Sequence, residues 1–266
     1  MTDQSVHIET HEALSREVQT GASFPFWAVF KRELGLYFRS PIAYAIAFAI
    51  MFFLGVLING YLSQGNQQAP ADSTYAPLLL VFLLFLIAPL LTMRLLSEEA
   101  REGTLEVLMT LPMHESQFII GKFLAAWAYF TVLLALTLVY HLIMLTVGVP
   151  DLGQAFGAYV GAWLYGGAVI AVCMIWTAVT EDQIVAAFLS AATVLVLYLA
   201  EIAAIFISSQ NPRLAEFVRE LGLQAHYNGT LSVGIVRGQD ILYFILLIVG
   251  ALFITTRIVE TRRWRA

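Results

Sequence analysis

Arg94-Leu95-Leu96-Ser97-Glu98-Glu99-Ala100-Arg101-Glu102-Gly103-Thr104-Leu105-Glu106-Val107-Leu108-Met109-Thr110-Leu111-Pro112 decides how the rest of the chain is read. It is the densest charged block in a chain whose charged residues amount to only 12%, and long apolar runs flank it on both sides. Glu98, Glu99, Arg101 and Glu102 fall so close together that this stretch cannot lie in hydrocarbon. Beyond them, Leu105, Leu108 and Met109 recur at helical spacing, with Glu106 on the other side. Gly103 suits the end of one short helix, and Thr104 suits the N-cap of the next. Pro112 then stops the second helix. The expected element is a bent pair of short helices at a membrane surface, offering charge and a small apolar face for docking.

Composition places the chain in a membrane. Hydrophobic residues make up 59% and charged residues 12%, against roughly 45–50% and about 25% in soluble domains. About 20 apolar residues suffice to span a bilayer, and several such runs occur. Cys173 is the single cysteine and lies within one of them. It therefore forms no internal disulfide and no CxxC metal pair, and reads as a buried structural thiol. The N-terminus shows no basic n-region followed by an apolar h-region, so no cleavable signal is expected.

Working outward from the docking element, the sequence predicts an all-α polytopic protein with six transmembrane helices. Residues 1–23 read as a mobile cytoplasmic tail, in which His7 and His11 are incidental, and residues 24–266 as one membrane domain. Within 24–40, Phe26, Trp27, Phe30, Leu34, Tyr37 and Phe38 interleave with Lys31, Arg32, Glu33 and Arg39. That is the pattern of an interfacial helix with rings toward acyl chains and cations toward anionic lipid. Pro41 marks a bend before the first span. The spans are expected at about 42–62, 77–96, 117–148, 156–179, 184–208 and 241–258. The third exceeds a bilayer, so its start, with Lys122, should project or tilt. Gly153, Gly157 and Gly161 recur every four residues in and before the fourth, followed by Gly166 and Gly167. They predict close helix packing, within one protomer or across a dimer. Thr180-Glu181-Asp182-Gln183 reads as a tight turn, and Leu214, Phe217, Val218 and Leu221 as an amphipathic helix before the last span.

Lysines and arginines cluster in the interfacial helix, the docking element, Lys122 and the basic C-terminal tail, which six spans would place on one side. Both termini are thus expected on the cytoplasmic side of a bacterial inner membrane. Arg213, Arg219 and Arg237 in the last outer loop run against the rule. Gln67 and Gln224 are expected to be reachable from outside. His141 and Glu201 stand as intramembrane polar candidates at similar depth, where an ion pair or a shared hydrogen bond could join them. No GxxxxGK[ST], HExxH, GxSxG or paired Cys/His spacing occurs, since Gly121-Lys122 lacks the upstream glycine and is followed by Phe123. No metal site, bound cofactor or catalytic residue is expected in this chain, and any energy must come from another subunit.

Ala88-Pro89-Leu90-Leu91-Thr92-Met93-Arg94-Leu95-Leu96-Ser97-Glu98-Glu99, through Arg101-Glu102-Gly103-Thr104-Leu105-Glu106 to Leu111-Pro112 and Gly121-Lys122, resembles the permease subunits of ABC type-2 transporters. It is most similar to the branch of gliding-motility permeases and of permeases for copper-centre assembly in nitrous oxide reductase. Glu181, Asp182 and Gln183 are similar to that branch's second cytoplasmic turn, with Asp182 where Asn is expected. The resemblance covers about Phe24 to Arg265. It implies a non-enzymatic permease that pairs with a second permease and two cytoplasmic ATPase subunits, which carry ATP and Mg. Residues Glu98, Glu99, Arg101, Glu102, Gly103, Thr104, Leu105, Glu106, Leu108 and Met109 would form the ATPase-coupling helix. Membrane lipid and an auxiliary envelope subunit are further candidate partners, and nucleic acid is not. Three functions follow as expectations: export of a lipid, glycan or other amphipathic substrate; mechanical drive of an envelope partner; or an ATPase-free membrane scaffold.

Overall fold

A computed structural model describes residues 25–64, 74–103, 114–148 and 150–263. The N-terminal tail, Gln67, and the expected coupling residues Thr104, Leu105, Glu106, Leu108 and Met109 lie outside the described residues. Every regular element among the described residues is helical: α1 Pro25–Arg39, α2 Pro41–Gln64, α3 Tyr75–Thr92, α4 Ser97–Arg101, α5 Glu115–Leu136, α6 Leu138–Val147, α7 Leu152–Val179, α8 Gln183–Ser208, α9 Pro212–Leu221 and α10 Gly238–Arg263, with a single 3-10 turn at Leu231–Val233. Six helical stretches are long and apolar enough to cross a membrane.

Two expected spans differ in ways that hydroxyl groups explain. The second ends at Thr92 rather than near residue 96. Thr92 Oγ1 donates to the Ala88 carbonyl at 2.8 Å, and Ser97 Oγ turns back to that of Met93. Such local bonds compete with the helical ladder. The third is divided at Thr137, whose Oγ1 donates to the Leu134 carbonyl at 2.7 Å and lies 3.3 Å from the Tyr159 hydroxyl. The stretch 115–146 thus crosses as two consecutive helices, α5 and α6, rather than one rod.

Helix α7 is the axis of the bundle. Asp151 caps it by accepting from the backbone N–H of Gly153 at 2.8 Å and Gln154 at 3.2 Å. It then packs against α3, α5, α8 and α10 and is almost wholly buried. Its glycines make that possible, and their partners belong to this chain. A Cβ at Gly166 would stand 2.1 Å from the Phe130 ring of α5, and one at Gly161 would stand 2.6 Å from Leu231. The small-residue stripe therefore serves packing within the protomer. Helices α2, α8 and α10 form the periphery and turn residues such as Phe48, Phe188 and Phe206 outward. Apolar surface on that scale suits contact with lipid or with a second chain. The Cys173 thiol is buried in the core.

Candidate functional site

Val29, Glu33 and Tyr37 recur every four residues along α1 and so share one face. The structure turns that face inward, onto α5 and the end of α3. Val29 meets Gly121, where a Cβ would lie 2.8 Å from the Phe26 carbonyl oxygen and 3.0 Å from Val29. Only glycine lets the two helices approach this closely. One turn along, Glu33 reaches Lys122. A further turn along, Tyr37 stacks on Tyr129 at 5.0 Å between ring centroids and donates to the Leu91 carbonyl at 2.6 Å. Burial, reinforced by the nearby Glu33 carboxylate, pushes the Tyr37 phenol well above its ordinary range, so it remains a donor.

At the centre lies a buried charge cluster. Lys122 Nζ stands 2.9 Å from Glu33 Oε1 and 3.0 Å from Glu99 Oε1, and an Arg32 nitrogen stands 3.6 Å from the same Glu99 oxygen. The Lys122, Glu33 and Glu99 side chains are 2%, 7% and 9% exposed, whereas Arg32 is 54% exposed. Lys122 also lies over the Phe118 ring, 5.0 Å from its centroid. Two carboxylates and two cations thus neutralise each other where water is scarce. Each buried charge depends on its partners, because taking one away leaves another uncompensated. The cluster fastens α1, α4 and α5 at the edge of the segment 104–113.

This places the expected coupling residues unevenly. Glu99 faces inward and holds the membrane domain together. Glu98 is half-buried, Arg101 and Glu102 are exposed, and Gly103 adopts φ +69°, a left-handed stop for α4 that glycine accommodates. In the second turn, Asp182 accepts from the backbone N–H of Ile184 at 2.8 Å and Val185 at 3.1 Å, capping α8, of which Gln183 is the first residue. Glu181 is exposed beside it. His141 and Glu201 are not brought together: among the described residues no ion pair joins them. His141 is 8% exposed with its ring edge toward Tyr159, while Glu201 is half-buried near Tyr198. His141 therefore faces α7, while the neighbour of Glu201 lies on its own helix, α8.

At the opposite end, the segment 222–237 folds down onto α7. A Cβ at Gly157 would lie 2.6 Å from Gly234 Cα, and the Tyr227 hydroxyl donates to the Ala158 carbonyl at 3.3 Å. Gln224 is consequently 4% exposed, which overturns its expected accessibility. Sequence reasoning passed over Glu33, Lys122 and His226 as site residues. The signals were present: a carboxylate inside the α1 stripe, and a lone lysine entering an apolar run. Neither names its partner, because Glu33, Glu99 and Lys122 are far apart in sequence.

No curated protein matches the chain. Residues 27–234 match the ABC-2 family transporter protein family, from α1 through the segment that packs on α7, with α10 lying beyond the match. That match covers most of the chain and agrees with six apolar membrane-length helices, so the chain belongs to the ABC-2 transporter family and is a multi-pass membrane permease.

Proposed function

We propose that this permease couples ATP hydrolysis by two separate cytoplasmic ATPase subunits to export of a lipid, glycan or other amphipathic substrate, working with a second permease copy. ATP and Mg belong to the ATPase. The observation that carries the reading is the Lys122 cluster. It ties α1, α4 and α5 together, and residues 104–112 join α4 to α5 along the chain, so a displacement of that segment would pass to α1 and to the third span. Leu105, Leu108 and Met109 fill an apolar groove of the ATPase, and Arg101, Glu102 and Glu106 set its register at the rim. Leu105→Asp puts an unpaired charge into that groove and should release the ATPase. Pull-down with an ATPase assay, normalised to membrane-inserted protein, tests this, and normal association with normal coupled activity in Leu105→Asp sinks the docking role.

Sidedness is part of the same proposal: both termini and α4 face the cytoplasm, as the cation asymmetry supports. On a Cys173→Ser background, a cysteine at exposed Asn228 should label from outside and one at exposed Glu102 from inside. The reverse pattern refutes the topology. A mechanical role is the second reading, favoured by the likeness of residues 181–183 to the second cytoplasmic turn of the gliding-motility and copper-centre branch. Stimulation of ATPase activity by lipid supports export, whereas dependence on an envelope partner supports mechanical drive.

A further inference from the structure

His226 stands between two oxygens that accept hydrogen bonds. Its Nδ1 lies 2.9 Å from Asp240 Oδ1 at the start of α10, and its Nε2 lies 3.1 Å from the Glu220 carbonyl oxygen in α9. The Glu220 carboxylate is 3.7 Å from the same Nε2. A neutral imidazole has one N–H. It therefore donates to one of these oxygens and turns a lone pair on the other.

Among the described residues, no further hydrogen-bond donor and no competing cation contacts the imidazole. Asp240 is 5% exposed, and its Oδ2 has no hydrogen-bond partner. Tyr243 of α10 lies flat on the imidazole, with centroids 3.8 Å apart and planes 20° apart, and commits its hydroxyl to the Leu221 carbonyl at 2.9 Å. The Phe244 ring presents its edge at 6.5 Å. Tyr165 of α7 packs on Phe244 rather than on the imidazole, and Tyr198 and Glu201 of α8 neighbour each other. Among the described residues, no lysine or arginine pairs with Asp240 or Glu220.

We propose that His226 and Asp240 together bind a proton, which closes a latch between α9, the segment after it, and α10. One added proton gives the pair two donors for its two contacts. Either both ring nitrogens donate, or the Asp240 hydroxyl donates to Nδ1 while Nε2–H donates to Glu220. The cluster becomes one unit less negative in both cases. The sign follows: the latch is closed when the pair holds the added proton and opens when higher pH removes it. Its location couples this to the segment seated on the α7 glycines.

The test is hydrogen exchange of the full chain in lipid nanodiscs, where buffer reaches both faces. Exchange is measured at about pH 5.5 and about pH 8.5 and corrected for the intrinsic rate. Residues 218–236 should be roughly tenfold better protected at the lower pH, the scale of one hydrogen bond to a charged group. His226→Gln and Asp240→Asn should each flatten that dependence. Equal wild-type protection at both values overturns the latch, as does an unchanged pH dependence in folded His226→Gln. The wild-type comparison decides alone where a variant fails to fold. A change shared equally by residues 118–130 reports general loosening and also overturns it.

Discussion

At one end of the bundle a lysine neutralises two buried carboxylates drawn from two other elements. At the other end a histidine faces a buried carboxylate and a carbonyl. The chemistry of the two cations separates their uses. A lysine ammonium is a compact charge held between both carboxylates, suited to a joint that keeps α1, α4 and α5 together. A histidine changes charge within the physiological range, suited to a joint that opens and closes. The same fold thus builds a permanent tie beside the expected ATPase contact and a proton-responsive tie at the far end.

Lys122→Ala should produce the largest effect, because it leaves Glu33 and Glu99 buried without their shared ammonium. The expected loss is about 3–5 kcal/mol, read by thermal unfolding of the purified chain and by protease access to α1. A loss below about 1 kcal/mol would place the joint at the solvent-screened end of the range and break the contrast. Gly157→Ala attacks the opposite end. Its methyl would stand 2.6 Å from Gly234 Cα, backbone that cannot swing aside, and Gly234 is itself held at φ +82°. A loss of about 1–3 kcal/mol is expected, with faster exchange confined to residues 227–237. If exchange rises at α1 instead, the two ends are not independent.

Asp182→Ala sharpens what the second turn does. Loss of the α8 cap should lower stability by about 1 kcal/mol, and Asp182→Asn should restore most of it. ATPase association that falls with both substitutions would show instead a docking contact that needs the charge. Gly250→Ala is expected to have the smallest effect. Nothing lies within 4 Å of its Cβ position, so the helix should gain up to about 1 kcal/mol. Destabilisation there, measured by the same unfolding assay, would indicate that a second chain packs on α10.

Much of the architecture was legible because hydrocarbon imposes simple demands. A spanning segment needs length, apolarity and internally satisfied backbone groups, and these are written locally in runs such as Ile42–Leu62 and Ile184–Ser208. Gly103 as a stop and the helix break just before Pro41 were readable for the same local reason. The divided third span was less legible, since Thr137 breaks it through a side-chain hydrogen bond to one carbonyl and proximity to Tyr159 on another helix. The α1 stripe was read by its rings, whereas its structural weight rests on Val29, Glu33 and Tyr37.

The sequence by itself determined the membrane class, the six spans, the helix ahead of the first of them and a charged element between the second and third, since each follows from composition or periodicity within a short window. Only the tertiary structure decided which charges are buried and with whom. Glu33, Glu99 and Lys122 come from three separated elements, and His226 meets Asp240 only after the segment between them folds onto α7. A charge is stable in a dry interior only through its partners, and partners distant along the chain are fixed by packing, which no local pattern encodes.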